Sequence, residues 1–372
     1  MAKEQTIYTV INVIYCAAKL CGMAPYTTKS KKPGYTNTLT MNKSGFINLT
    51  VIVLVCSVMI YSFVQMIIIR QEDNFYNQNN TVIYVLYTLR LMSAIITILT
   101  FYFTQEHFIG AFEKLNEFDT KKKLYDKLQY TVYRNVTGFV ILILLSFVIG
   151  IELVYYYVME EKVTIIILDT LSNGLQLFIH LLALLYFELY VVILIDNFKF
   201  IKVTTEDLNN KFTSMKESQK KMYYVIKTIS TMYDDLCKGA GLINHVFSFP
   251  LFSLVSLNFM EVLLGIYLIT DSKSRNICSI YWTAFYGIQL FCILIPPGAV
   301  ETQAKEISKY LAEAELQNDE DLLNERNHFL LRTLHQSVDF TACGFFPIST
   351  SAIIGQFSIS ISFLLFMFQI IK

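Results

Sequence analysis

Charge is scarce in this 372-residue chain. Asp, Glu, Lys and Arg make up 16% of it, against about a quarter of a typical soluble domain. With 54% hydrophobic residues and a mean hydropathy of +0.46, too little polar surface remains to coat a soluble fold. The 30 basic and 30 acidic residues cancel, so no net field draws in nucleic acid or an acidic substrate. Cysteines are few and unpatterned: Cys16, Cys21, Cys56, Cys237, Cys278, Cys292 and Cys343 follow no framework spacing. Only Cys278 falls in a segment expected outside, so no stapling disulfide is expected. The five histidines, His107, His180, His245, His328 and His335, show no metal-binding spacing. His328 and His335 share a helical face, but in a charged stretch where solvation explains them. A Gly-rich phosphate loop and a nucleophile elbow are both missing. No enzyme class fits, and no cofactor or metal is implied. Repeated halves and paired broken helices, the marks of many transporters, are absent too.

What the chain does have is long apolar runs. A spanning helix needs about 20 mostly apolar residues. Seven stretches qualify: Phe46–Ile69, Thr81–Phe103, Val136–Val158, Thr164–Ile195, Phe247–Ile269, Ile280–Val300 and Ser351–Ile371. The expected fold is therefore all-α, a polytopic membrane protein with seven transmembrane helices. Residues 1–44 read as an amphipathic cytoplasmic helix and linker, because positions 7, 10, 11, 14, 17 and 18 are apolar at helical spacing. A signal peptide fits less well, since Lys19 interrupts the run and Tyr8 and Asn12 dilute it. Residues 45–372 form the membrane domain. Its inner segments, 197–246 and 301–350, carry helical apolar stripes and are expected to pack into a cytoplasmic anchor.

Orientation follows from Lys and Arg. With the N-terminus inside, 24 of the 30 basic residues fall in cytoplasmic segments, five outside, and Arg90 within a span. The Asn79-Asn80-Thr81 sequon then lies in an external loop, as glycosylation requires.

Ionisable groups inside spans are costly and are usually functional. Arg90, Glu152, Asp169, His180, Glu188 and Glu261 stand in this position. Arg90 and Glu261 each lie about nine residues from the external end of their helices, roughly 13 Å deep, where they can pair. Tyr87, Tyr286 and other aromatics crowd the same half, with Asn173, Gln176, Asn258 and Gln289. Two readings stand side by side. One is an ion-paired strut beneath an interfacial aromatic belt. The other is an amphipathic pocket, open outward, for a small ligand.

The last span carries Ser351, Gly355, Ser358, Ser362 and Gln369. At about 100° per residue these fall within one narrow stripe, with Ser360 opposite and Ile, Leu, Phe and Met elsewhere. Such a stripe suits a water-filled pore or close packing through small residues. Gln369 favours the pore, because a large amide holds helices apart. One helix cannot enclose a pore, so several copies must surround one axis.

The most specific stretch is Phe340-Thr341-Ala342-Cys343-Gly344-Phe345-Phe346, followed by Ser362-Phe363, five apolar residues, and Gln369-Ile370. A second is Met232-Tyr233-Asp234-Asp235-Leu236-Cys237, then Ile243-Asn244 and Phe247-Ser248, entering the fifth span. Together they resemble the insect gustatory receptor family, whose last segments read Phe-Thr-Ala-x-Gly-Phe-Phe and then Thr-Tyr, five apolar residues, Gln-Phe. Ser362, Phe363 and Ile370 depart from that pattern. The resemblance implies a tastant-gated cation channel in the plasma membrane of chemosensory neurons. It implies a homo- or hetero-tetramer with related receptors, embedded in lipid, with the seventh helix at the axis. Gln369 and Ile370 would form the gate, with Ser358, Ser362 and Phe366 along the conduction path. Arg90, Glu261, Tyr87, Gln176, Tyr286, Glu152, Asp169 and Asn258 would surround the tastant. Sugar, bitter plant compound and carbon dioxide all fit the family; a bitter or other plant metabolite is favoured because that class is the most numerous in it. The rival is a seven-helix G-protein-coupled chemoreceptor. Such receptors have the N-terminus outside and carry Asp-Arg-Tyr and Asn-Pro-x-x-Tyr motifs, which this chain lacks.

Overall fold

A computed structural model of the chain describes residues 14–15, 17–24, 26–29, 38–41, 45–72, 78–123, 164, 167–168, 170–214, 219–270, 277–313, 320–350, 352, 355, 358 and 362. Its helices are α1 (Gly45–Glu72), α2 (Gln78–Phe103), α3 (Gln105–Lys122), α4 (Leu175–Ser214), α5 (Gln219–Thr270), α6 (Ile277–Glu313) and α7 (Glu320–His335). A π-helical turn, Thr170–Gly174, leads into α4. Among the described residues, five helices are long and apolar enough to cross a membrane, over Asn48–Ile69, Val85–Phe103, Leu171–Leu208, Met222–Ile269 and Ser279–Glu313. They coincide with the first, second, fourth, fifth and sixth expected spans. The third span and all but four residues of the seventh lie outside the described residues.

Three helices are far longer than a bilayer is thick. α4, α5 and α6 have 40, 52 and 37 residues. They run roughly 60, 78 and 55 Å, against a hydrocarbon core of about 30 Å. Each therefore projects well beyond the membrane. The projecting ends pack with α3 and α7 into a second helical layer. Aromatic rings fill the junction. Phe101 meets Phe247 edge-on at 5.2 Å, Phe108 meets Tyr186 at 5.4 Å, and Phe112 meets Tyr190 at 5.4 Å. The Tyr190 hydroxyl donates to the Ala111 carbonyl at 3.2 Å. Gly239 makes this approach feasible, since a Cβ there would stand 2.5 Å from the Tyr190 oxygen.

Before α1, the described helical turn ending near Leu20 packs into the core. Its Ile14 and Ala18 are fully buried. The turn ends in a Schellman cap: Met23 N–H donates to Ala18 C=O at 2.8 Å and Gly22 N–H to Lys19 C=O at 3.1 Å. Gly22 has φ +77°, and a Cβ there would strike Ile52 at 2.8 Å.

Among the described residues, two small antiparallel hairpins interrupt the helical pattern, and neither follows from the hydropathy pattern. β1 (Tyr26–Lys29) pairs with β2 (Thr38–Met41), and β3 (Thr341–Ala342) with β4 (Phe346–Pro347). The second hairpin occupies the most specific motif of the sequence. Its turn places Cys343 at φ +52° and Gly344 at φ +73°, and Phe345 N–H closes on Ala342 C=O at 2.9 Å. Two consecutive positive φ values mark a primed turn, which glycine enters without strain.

Candidate ligand site and pore helix

Four helices bring polar side chains together inside the apolar bundle. Arg90 on α2 forms an ion pair with Glu261 on α5, and both side chains are close to fully buried. The guanidinium lies over two tyrosine rings, 5.7 Å from the centroid of Tyr87 and 5.2 Å from that of Tyr286. Taking both charges out of water is costly, and pairing plus cation–π contacts offset that cost. Beside the pair, Asn258 Nδ2 on α5 donates to Gln289 Oε1 on α6 at 3.0 Å. Gln289 Nε2 has no hydrogen-bond partner among the described residues.

One turn deeper, a chain of hydroxyls crosses three helices. His180 Nε2 on α4 is 2.9 Å from Ser93 Oγ on α2. Ser93 donates to Ser253 Oγ on α5 at 3.0 Å, and Ser253 donates to the Pro250 carbonyl at 2.9 Å. Ser93 has one proton and gives it to Ser253, so the His180 ring is the donor at Nε2. The chain thus has one direction, from His180 to Pro250. It ends where α5 runs through a proline and its hydrogen-bond ladder is interrupted.

These groups surround a small void lined by Arg90, Leu177, His180, Leu254, Leu257, Asn258, Glu261, Tyr286 and Gln289. Water centres fit within about 10 Å³ of it, the room of about one water. Ligand pockets are usually several hundred Å³, so the site is closed as it stands.

The structure therefore brings Arg90, Glu261, Tyr87, Tyr286 and Asn258 together. Gln176 stands apart from the void: its Nε2 donates to Ser172 Oγ in the π-turn at 3.2 Å, and it is fully buried there. Glu152 and Asp169 lie outside the described residues. Sequence reasoning missed Ser93 and Ser253, because two serines in apolar helices carry no signal until their helices are placed side by side.

At the other end of α5 the two motif stretches dock onto one another. Asn244 Oδ1 accepts from Thr341 N–H at 2.9 Å. Ser248 donates to Thr341 C=O at 3.2 Å and accepts from Cys343 N–H at 2.6 Å. Phe345 and Phe346 pack with tilted rings against Phe252 at 5.3 and 6.2 Å, and Phe340 meets Phe187 edge-on at 5.6 Å. Below this seat, Asp234 accepts from Lys238 at 2.6 Å and from Gln336 at 3.1 Å. Burial pushes the Asp234 carboxyl up, but these donors outweigh it and hold it below the usual range. Asp235 pairs with Lys121, and Arg332 donates to Ser230 at 3.0 Å.

The hairpin leads into the last helix. Of its polar stripe, Gly355, Ser358 and Ser362 are all exposed on the single chain, while Ala352 is half-buried. Ser362 Oγ donates to Ser358 C=O at 3.1 Å. Phe366, Gln369 and Ile370 lie outside the described residues.

Comparison with known proteins gives a consistent picture. A family model described as 7tm Chemosensory receptor matches residues 11–372. The Drosophila melanogaster protein "Gustatory receptor for bitter taste 66a" is 25% identical over 157 residues, which cover 39% of this chain and 30% of that receptor. The fold is similar to two solved structures of the insect olfactory receptor OR5 from Machilis hrabei. The structure in complex with eugenol matches with TM-score 0.71, and the other OR5 structure with 0.73. Each is 12% identical, over 97% of both chains.

Proposed function

The chain belongs to the 7tm chemosensory receptor family, and on that premise we propose that it is a gustatory receptor working as a tastant-gated, non-selective cation channel. Four chains, alike or mixed with related receptors, assemble around their last helices in the plasma membrane of a chemosensory neuron. The observation that carries the pore is the last helix. Of its stripe of small polar residues, Gly355, Ser358 and Ser362 are exposed on the single chain, as residues that face a shared axis would be. The Ser362 hydroxyl proton is committed to its own helix, so its lone pairs are free to face cations. Gln369 and Ile370 close the path as a ring of amides beside an apolar constriction.

The tastant binds where Arg90, Glu261, Tyr286, Asn258 and Gln289 converge, and its entry widens the water-sized void. Arg90 and Glu261 neutralise each other, and a charged guest would leave an uncompensated buried charge. The site therefore suits a neutral molecule with a hydrogen-bond acceptor for Gln289 Nε2 and a flat face for Tyr286. Neutral bitter plant metabolites have that chemistry, and the bitter-taste receptor among the relatives agrees with the choice. Widening the void pulls on the His180–Ser93–Ser253 chain, which ends at Pro250. That carbonyl is two residues from Ser248, the seat of the hairpin that leads into the pore helix.

The test is expression in a cell without G-protein signalling, with currents recorded against a panel of neutral plant compounds. Direct cation currents are expected, and Gln369→Glu shifts the calcium-to-sodium permeability ratio at normal surface levels. Responses that need G-protein signalling, or Gln369→Glu channels with unchanged permeability, would favour a seven-helix G-protein-coupled receptor or a packing role for Gln369.

A further inference from the structure

Two of the five histidines, 138 positions apart in the sequence, meet at the junction of the two layers. His107 sits in the first turn of α3, four residues beyond the end of α2 at Phe103. His245 stands on α5, two residues before the apolar run that starts at Phe247. Their ring centroids are 4.4 Å apart, the planes cross at 43°, and both side chains are exposed. Imidazole is a common donor for Zn²⁺ and Cu²⁺. Two imidazoles on one tetrahedral Zn²⁺, with Zn–N about 2.0–2.1 Å, hold their centroids about 5 Å apart. The observed pair reaches that spacing by opening less than about 1 Å, which exposed side chains do by rotation. There is room for the remaining ligands: one turn before His245 stands Gly241, where a Cβ would meet nothing within 4 Å.

We propose that His107 and His245 together bind a divalent transition-metal cation, with water filling the other positions. Among the described residues no third donor joins them. The site is therefore open and reversible rather than a closed structural centre. Its placement gives it leverage. His245 adjoins Asn244 and precedes Ser248 by three residues, and those two side chains hold the hairpin. A metal across the pair staples α3 to α5 at that seat. On the channel reading given above, the staple stiffens the seat and lowers the evoked current.

The experiment uses the full-length protein in detergent with any affinity tag removed. Zn²⁺ is titrated calorimetrically into the wild type, His107→Gln, His245→Gln and the double variant. The expected result is one site that weakens at least tenfold in either single variant and no further in the double. His328→Gln with His335→Gln leaves it intact. Cu²⁺ bound to the wild type reads out independently of any variant, with a paramagnetic resonance spectrum of two imidazole nitrogens. A wild type with no saturable site, single variants that bind like the wild type, or a Cu²⁺ spectrum without two nitrogens would overturn the proposal. Zn²⁺ applied to the face of an inside-out patch that was cytoplasmic then tests the leverage. Block in the wild type and not in the single variants supports the staple. Intact binding without any tastant-evoked current sinks the channel reading and leaves the metal site standing.

Discussion

The two ends of α5 solve the same problem in different ways. Near its outer end, polar groups lie within the apolar span and pair side chain to side chain, with Gln289 Nε2 left over: Arg90 with Glu261, Asn258 with Gln289, His180 with Ser93 and Ser253. Near its inner end, side chains of α5 satisfy the backbone of a hairpin, through Asn244 and Ser248. Water is scarce in the first region and close at hand in the second. The outer cluster thus holds its members by denying them any alternative partner. The inner seat holds one strand pair in one position and is open to rearrangement. On the function proposed above, the first serves as a site that is costly to disturb without a ligand, and the second as a joint that shifts for little.

That contrast is easiest to break at Arg90. Arg90→Met leaves the Glu261 carboxylate buried without its partner, at a cost of about 3–5 kcal/mol. Surface delivery should fall sharply, and the purified protein should unfold at a lower temperature. Adding Glu261→Met in the same chain should restore most of the loss. If the single variant is as stable as the wild type, the outer cluster is looser than described.

Ser248→Ala is expected to act differently. It removes the acceptor for Cys343 N–H and the donor to Thr341 C=O, at about 1–3 kcal/mol, toward the lower end because water reaches this face. Surface levels should stay near normal while evoked current falls. Equal losses of delivery for Ser248→Ala and Arg90→Met would erase the distinction between the two regions.

The hairpin turn offers a finer test. Gly344→Ala puts a Cβ at φ +73° and should cost about 1 kcal/mol. Cys343→Gly relieves the opposite strain at φ +52° and should make the seat slightly firmer. The two substitutions should move the current dose–response curve in opposite directions. The smallest effect expected is that of acid on Asp234. Its carboxyl titrates below the usual range in the folded chain, so its contribution is complete above about pH 4. It drains away as pH falls through the lower folded value. Asp234→Asn should flatten that part of an acid unfolding curve and little else.

The membrane skeleton was legible because lipid imposes a simple rule: about 20 apolar residues in a row must be a helix. Five runs became five helices on that ground alone. Arg90 and Glu261 were paired from depth, since a buried charge needs a partner and theirs were level. The rest depended on which helices are neighbours. Nothing local marks Ser93 as the link between His180 and Ser253, nor His107 as the neighbour of His245. Gln176 was expected in the pocket from its depth, but its amide donates instead to Ser172, one turn earlier in the chain. Both hairpins escaped because strands of two to four residues leave no period to detect. The Phe-Thr-Ala-Cys-Gly-Phe-Phe stretch was recognised as a motif, yet its physical content, a primed turn seated on Asn244 and Ser248, came only from the structure.

The proposed conduction path along the last helix can be probed with thiols. Ser358→Cys and Ser362→Cys each put a thiol on the exposed stripe, and Ser360→Cys puts one on the opposite face. The measurement is the current evoked by an active panel compound, before and after a charged, membrane-impermeant thiol reagent, with the wild type as control for the seven native cysteines. Loss of current is expected for Ser358→Cys and Ser362→Cys, and no change for Ser360→Cys or the wild type. Equal insensitivity at all three positions, in channels that still respond to the compound, would contradict the proposed path.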